Sequence, residues 1–234
     1  MFFNPFYYPY WWFAIPGLLL GLYAQFRLSA DYRRYSEVPI ESGLSGAEAA
    51  REILDRNGLN NIAIEAISGH LTDHFDPLRK ALFLSEENYS GRSIAAVGVS
   101  AHEAGHALQQ KAAYPLFNFR MWLAPATQFA SYAYMGIFFL GWILGSAMFA
   151  KFLLIGIGLF AIITLFQIIT LPVEYDASRR AKQQLISLGL VQPSESAAVS
   201  RMLYSAGLTY VAAMLSAVLQ LLRLIMIYNR TERR

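Results

Sequence analysis

Long apolar runs alternate with ordinary polar sequence along this chain, and their lengths predict most of its elements. Residues 8–26 form the first run, behind an aromatic cluster of Tyr7, Tyr8, Tyr10, Trp11 and Trp12 and ahead of Arg27. Aromatic anchors at one end and a basic stop at the other predict a membrane span, with an interfacial helix as the alternative. Pro16 is expected to kink or break it, and the stretch lacks the basic start and cleavage site of a secretory signal. Residues 121–150 are apolar apart from Gln128 and scattered hydroxyls, more than the ~20 residues one span needs. Their start is therefore expected to be interfacial, tilted or bent at Pro125. Lys151 interrupts, 152–171 has the length of a further span, and Pro172 is expected to end it, which makes a transmembrane hairpin. Residues 208–228 are a last apolar segment, transmembrane or interfacial, less clean because of Gln220 and Arg223.

The polar stretches carry different periods. Ser45-Gly46-Ala47-Glu48 has capping-box spacing and opens a helix through Ile53 and Leu54 that Asn57-Gly58 stops. Residues 62–69 alternate like a half-buried strand, 70–77 are polar and turn-rich, and 80–85 read as a second short strand. From Ser93 a proline-free helix runs through Gln110. Val173–Leu190 reads as a water-exposed or interfacial helix stopped near Gly189 and Pro193, with another helix from about Ser194. The expected organisation is a first transmembrane helix (1–28), a soluble domain (29–116) and a transmembrane hairpin (117–171). A helical segment (172–207) and a last hydrophobic helix with a basic tail (208–234) follow.

Composition supports an integral membrane protein: 56% of the 234 residues are hydrophobic and only 15% charged. The net charge of +3 is modest, and its Lys and Arg flank apolar runs instead of forming a basic stripe, so no nucleic-acid partner is expected. There is no cysteine, so any metal must be held by His and carboxylate.

The proline-free helix contains His102-Glu103-Ala104-Gly105-His106. Residues four apart stack on one helix face, so the two imidazoles can grip one zinc ion at ~2.0–2.1 Å. Glu103 lies beside the first of them, where a general base is required. The alternative is a histidine pair that binds nothing. A catalytic zinc needs a third protein ligand. Glu174, in PVEYDASRRA, is the downstream candidate, against the plainer reading of a carboxylate favoured at a helix N-terminus. Asp176 is the reserve. Two spans separate the motifs, and an even number returns Glu174 to the side of His102 and His106.

Asp73–Pro77 (DHFDP), Leu82–Ala96 (LFLSEENYSGRSIAA), Ala101–Gln109 (AHEAGHALQ) and Leu171–Ala181 (LPVEYDASRRA) together resemble the YugP-type membrane zinc metallopeptidases, over most of the chain from residue 1 to about 230. The resemblance implies a multi-pass neutral zinc endopeptidase with one catalytic zinc, held by His102, His106 and Glu174, and Glu103 as catalytic base. The implied fold is mostly α, with transmembrane helices and a small α+β zincin-like domain bearing a short β-hairpin or edge strand and the H-E-x-x-H helix. Ser178 departs from the wider gluzincin pattern, where related membrane proteases often carry aspartate. Asp176, Asp73 and Asp76 are candidates for orienting the ligand histidines.

The expected reaction is hydrolysis of protein or peptide substrates at the membrane, with the lipid bilayer as the other partner and any protein partner unknown. His74, His70, Tyr175 and Arg179 are candidates for stabilising the oxyanion, and His74 equally reads as a loop histidine bonded to its own backbone. Lys80–Ser85 is expected to be an edge strand that pairs with an extended substrate. Arg27, Arg33, Arg34, Arg179, Arg180 and Lys182 flank spans on the active-site side, which favours a cytoplasmic site in the cell membrane; Lys151 and the basic tail pull the other way if the last segment crosses. Two rivals stand beside this reading. One is an intramembrane protease of the site-2 type, disfavoured by the polar NYSGRSIAAVGVS ahead of the motif. The other is a membrane scaffold or chaperone that keeps a zinc site without turnover.

Overall fold

The structure is a computed structural model that describes residues 10–144 and 146–232. Tyr7 and Tyr8 of the aromatic cluster, the start of the first run, Gly145 of the second and the final two arginines lie outside the described residues. The chain is mostly helical, with one small sheet. A 3-10 turn at Trp11–Phe13 leads into α1 (Ala14–Ser36), followed by α2 (Gly46–Arg56), β1 (Ala63–Ile67), β2 (His74–Asp76), β3 (Ala81–Ser85), α3 (Glu86–Ser90), α4 (Ile94–Lys111), α5 (Pro115–Leu144), α6 (Ser146–Ser187) and α7 (Ser196–Glu232). Among the described residues, three helices are long and apolar enough to cross a membrane: Trp11–Ser36, Lys151–Ser187 and Ser196–Thr231.

Contacts divide the chain into two units. The first comprises the described parts of Met1–Tyr23, Phe119–Leu171 and Thr209–Arg234. It is helical, and it leaves Leu18, Leu22, Phe129 and Leu154 exposed, as lipid-facing side chains are. Gly17 sits so close to Ser216 that a Cβ there would collide with it, a close helix approach of the kind small residues permit in membranes.

The second unit, Ala24–Asn118 with Pro172–Leu208, holds the sheet and the H-E-x-x-H helix. The Ser45 hydroxyl accepts from Glu48 N–H while the Glu48 carboxylate accepts from Ser45 N–H, so α2 begins with the expected capping box. That backbone hydrogen bond from Ser45 leads the causes that hold the Glu48 carboxyl below its usual range, and Arg92 adds to it. Ser93 caps α4 by accepting from Ala96 N–H at 3.2 Å. Fourteen of the eighteen α4 residues are buried, which makes it the central helix of the unit. Ile53, Leu54, Leu82, Leu84, Val97, Leu185, Val199 and Met202 form the core around it.

Three expectations change. The sheet order is β1-β3-β2, with β3 parallel to β1 and antiparallel to β2. Ala81–Ser85 is thus the central strand and not an edge; all five residues are buried, as a strand paired on both sides is. The hairpin is β2–β3, with His74 opposite Phe83. Second, Pro172 does not end the helix: α6 runs unbroken from Ser146 to Ser187. Proline costs the helix one N–H donor, a loss that helices beside lipid accommodate more readily than soluble ones. Third, Pro16 falls in the first turn of α1, where its missing N–H has no intrahelical role. It therefore breaks nothing.

Candidate metal centre

α4 presents His102 and His106 one turn apart, their ring centroids 4.9 Å from each other and their planes at 83°. α6 supplies Glu174 to the same spot. His102 Nε2 lies 3.1 Å and His106 Nε2 3.5 Å from Glu174 Oε2. One donor atom from each residue falls within 4.8 Å of the others. Glu174 is only 2% exposed, and His106 only 7%. The structure brings together the three residues singled out in the sequence.

Why the two helices approach so closely is written in their small residues. A Cβ on Gly105, between the two histidines, would stand 2.5 Å from the Ala177 carbonyl oxygen. Ala101, Ala104, Ala177 and Ala181 are buried and equally small. Glycine at 105 therefore sets the distance at which a carboxylate from α6 can reach imidazoles on α4.

Each histidine is held through its other nitrogen. His102 Nδ1 lies 3.0 Å from Ser178 Oγ, and His106 Nδ1 lies 2.9 Å from Gln109 Oε1. Of the aspartates expected in this role, Asp73 and Asp76 are occupied elsewhere, and Asp176 reaches His106 only through Gln109. Asp73 accepts from Ser85 and Asn88, and Asp76 Oδ1 accepts from Leu78 and Arg79 N–H in the hairpin turn. Asp176 is engaged by Arg179, Arg180 and Gln109, which removes it as a reserve ligand. Gln109 escapes a reading of the sequence because glutamine carries no metal or acid–base signal, although its place three residues past His106 puts it on the right face.

Glu103 is 8% exposed, and among the described residues its carboxylate forms no hydrogen bond or ion pair. Of the oxyanion candidates, His74 Nδ1 meets Thr72 O at 2.9 Å and its ring stacks on Phe83, matching the plainer reading of that residue. His70 bonds Glu87, Arg179 pairs with Asp176, and Tyr175 is half exposed.

The donor set fits zinc. Two imidazole nitrogens and a carboxylate oxygen face one another in a largely dry site, an arrangement that a divalent cation satisfies, and His₂Glu is a catalytic zinc set. Calcium or magnesium would call for oxygen ligands.

Comparison with known proteins agrees. The family model described as "Putative neutral zinc metallopeptidase" matches residues 10–229. The "Putative membrane protease YugP" of Bacillus subtilis (strain 168) is 44% identical over 215 residues, covering 92% of this chain and 94% of that protein. No solved structure matches the chain. With a buried His₂Glu cluster joining α4 to α6 and a family model spanning nearly its whole length, this membrane protein belongs to the neutral zinc metallopeptidase family.

Proposed function

We propose that the protein is a zinc-dependent endopeptidase that hydrolyses peptide bonds of membrane or membrane-proximal proteins. The convergence of His102, His106 and Glu174 on one buried point carries this reading. These three residues would hold the ion, and zinc in their grip would supply a Lewis acid that makes water nucleophilic near neutral pH and polarises a carbonyl. Glu103, next to the first ligand on α4, takes the proton from the attacking water and returns it to the leaving amine. Ser178 and Gln109 fix the rings from behind.

An extended substrate would add to an open sheet edge. β3 is paired on both sides, so the role proposed for it passes to β2, the short edge strand that touches α4. Gln110 of α4 donates to the Pro77 carbonyl at 3.4 Å, beside that strand. Main-chain pairing reads backbone, so broad side-chain tolerance follows. A purified enzyme that cut only one tightly defined sequence would contradict this mode of binding.

The site faces the cytoplasm under the positive-inside tendency. The chain has no cysteine, so Asn60→Cys and Gln183→Cys each introduce a single, exposed thiol. In intact cells an impermeant reagent should leave both unlabelled; labelling from outside reverses the orientation.

The test of the activity is Glu103→Gln. Peptide hydrolysis by the purified full chain should fall by a factor of about 100 or more, of the order removed with a general base, while bound zinc persists. A scaffold that merely retains zinc would show no hydrolysis in the wild type and no change of phenotype in the variant.

A further inference from the structure

Gln109 is fully buried, and its amide has three contacts that leave it one orientation. On one side lie two acceptors, Val173 O at 2.7 Å and Asp176 Oδ2 at 3.0 Å. Only the NH₂ group can serve both, so the amide oxygen must face the other way, towards His106 Nδ1 at 2.9 Å. An amide oxygen only accepts. The Nδ1 atom of His106 therefore carries a hydrogen, which leaves Nε2 as the nitrogen that can offer a lone pair to a metal.

Nε2 faces the Glu174 carboxylate, 3.5 Å away. Asp176 closes the chain: its carboxylate is held by Arg179 and Arg180 and cannot supply a proton to the amide. His102 is held differently, because the Ser178 hydroxyl can either donate or accept. One histidine is locked; the other is free to adapt.

We propose that Gln109 is a positioning residue which, backed by Asp176 and the Val173 carbonyl, locks His106 in the tautomer that offers Nε2 to a metal. This rests on the zinc-peptidase reading for its purpose, but its structural content does not need the metal. It also gives the third-ligand helix a second role. By holding the amide through Val173 and Asp176, α6 sets a ligand contributed by α4 as well as delivering its own.

The full chain in detergent or nanodiscs, stripped of metal and labelled with ¹⁵N only at its four histidines, reports the tautomer directly. His106 should show a hydrogen on Nδ1. Gln109→Met keeps the length of the side chain and removes the acceptor; it should give a tautomer mixture and weaken zinc binding, measured by chelator competition, about 10- to 100-fold. Gln109→Glu restores an acceptor and should bring the His106 signal back towards that of the wild type. Ser178→Ala should cost less affinity than Gln109→Met. A bare Nδ1 in the wild type, or an unchanged tautomer and zinc affinity in Gln109→Met, overturns the proposal, the second even if stability falls. If Gln109→Met does not fold, the wild-type spectrum alone decides. A wild type with the expected tautomer and no affinity for zinc would instead sink the peptidase reading and leave the lock standing.

Discussion

α4 and α6 meet at the candidate metal centre and are built on opposite plans. α4 is eighteen residues long and buried on almost every side, and it carries two donors by spacing alone. α6 has forty-two residues, about 60 Å of helix, and begins as an apolar rod with Leu154 and Ile155 exposed. It contributes its donor only after passing Pro172, where Val173, Ala177 and Ala181 become fully buried. A pair of ligands one turn apart is a local property that survives as long as the helix does. A ligand from a second helix is a property of the interface and depends on how closely, and in what register, the two backbones meet.

The sharpest way to test that division is to remove the ligand that only the interface provides. Glu174→Ala leaves α4 with two imidazoles and no carboxylate, and zinc affinity should fall by well over the ~100-fold typical of lost supporting contacts. Zinc stoichiometry of the purified variant beside the wild type reads this. Full occupancy with wild-type affinity in Glu174→Ala would mean that the carboxylate is not a ligand and that the convergence with His102 and His106 has another purpose.

A smaller but more diagnostic effect should come from the distance between the helices. Gly105→Ala places a methyl 2.5 Å from the Ala177 carbonyl oxygen and 3.3 Å from its Cα, and backbone cannot swing aside as a flexible side chain can. Overpacking of this kind costs about 1–3 kcal/mol. Both the unfolding temperature and zinc affinity should drop, although no ligand has been touched. Gly136→Ala in α5 is the control: nothing lies within 4 Å of a methyl placed there, so the replacement should be neutral or slightly stabilising. Equal behaviour of the two variants would dissolve the claim that α4 and α6 are spaced by Gly105.

The same division separates what is legible in the sequence from what is not. Period and local chemistry suffice for the capping box at Ser45, the start of α4 at Ser93, the histidine pair, β1 and β3. β2 reads as turn because three residues are too few to show alternation, and with it go the order of the sheet and the edge assigned to β3. Pro172 reads as a stop because proline ends most helices in water, a rule the apolar stretch ahead of it relaxes. Glu174 can be nominated from sequence but not placed. Gln109 cannot be found at all, since its importance arises from Val173 and Asp176, more than sixty residues downstream.

The smallest effect should come from a feature that is local in every respect. α2 starts with a reciprocal pair in which Ser45 and Glu48 each satisfy the other's backbone N–H, at 2.7 and 3.2 Å. Ser45→Ala should cost about 1 kcal/mol, the usual worth of an N-cap, and leave zinc affinity unchanged because α2 supplies no ligand. The pair also has an acid signature. The Glu48 carboxyl is held below its ordinary value when folded, first by the Ser45 backbone N–H, so its contribution is present above the unfolded value and is lost as pH falls through the lowered one. Unfolding followed from neutral pH down through the carboxylate range, ~4 and below, should therefore show a slightly shallower acid limb in Glu48→Gln than in the wild type. The carboxylate is exposed, so the change should be small and should shrink further in salt. A loss of zinc in either variant would show that the metal centre depends on α2, and the contrast between local and interfacial ligands would then have to be redrawn.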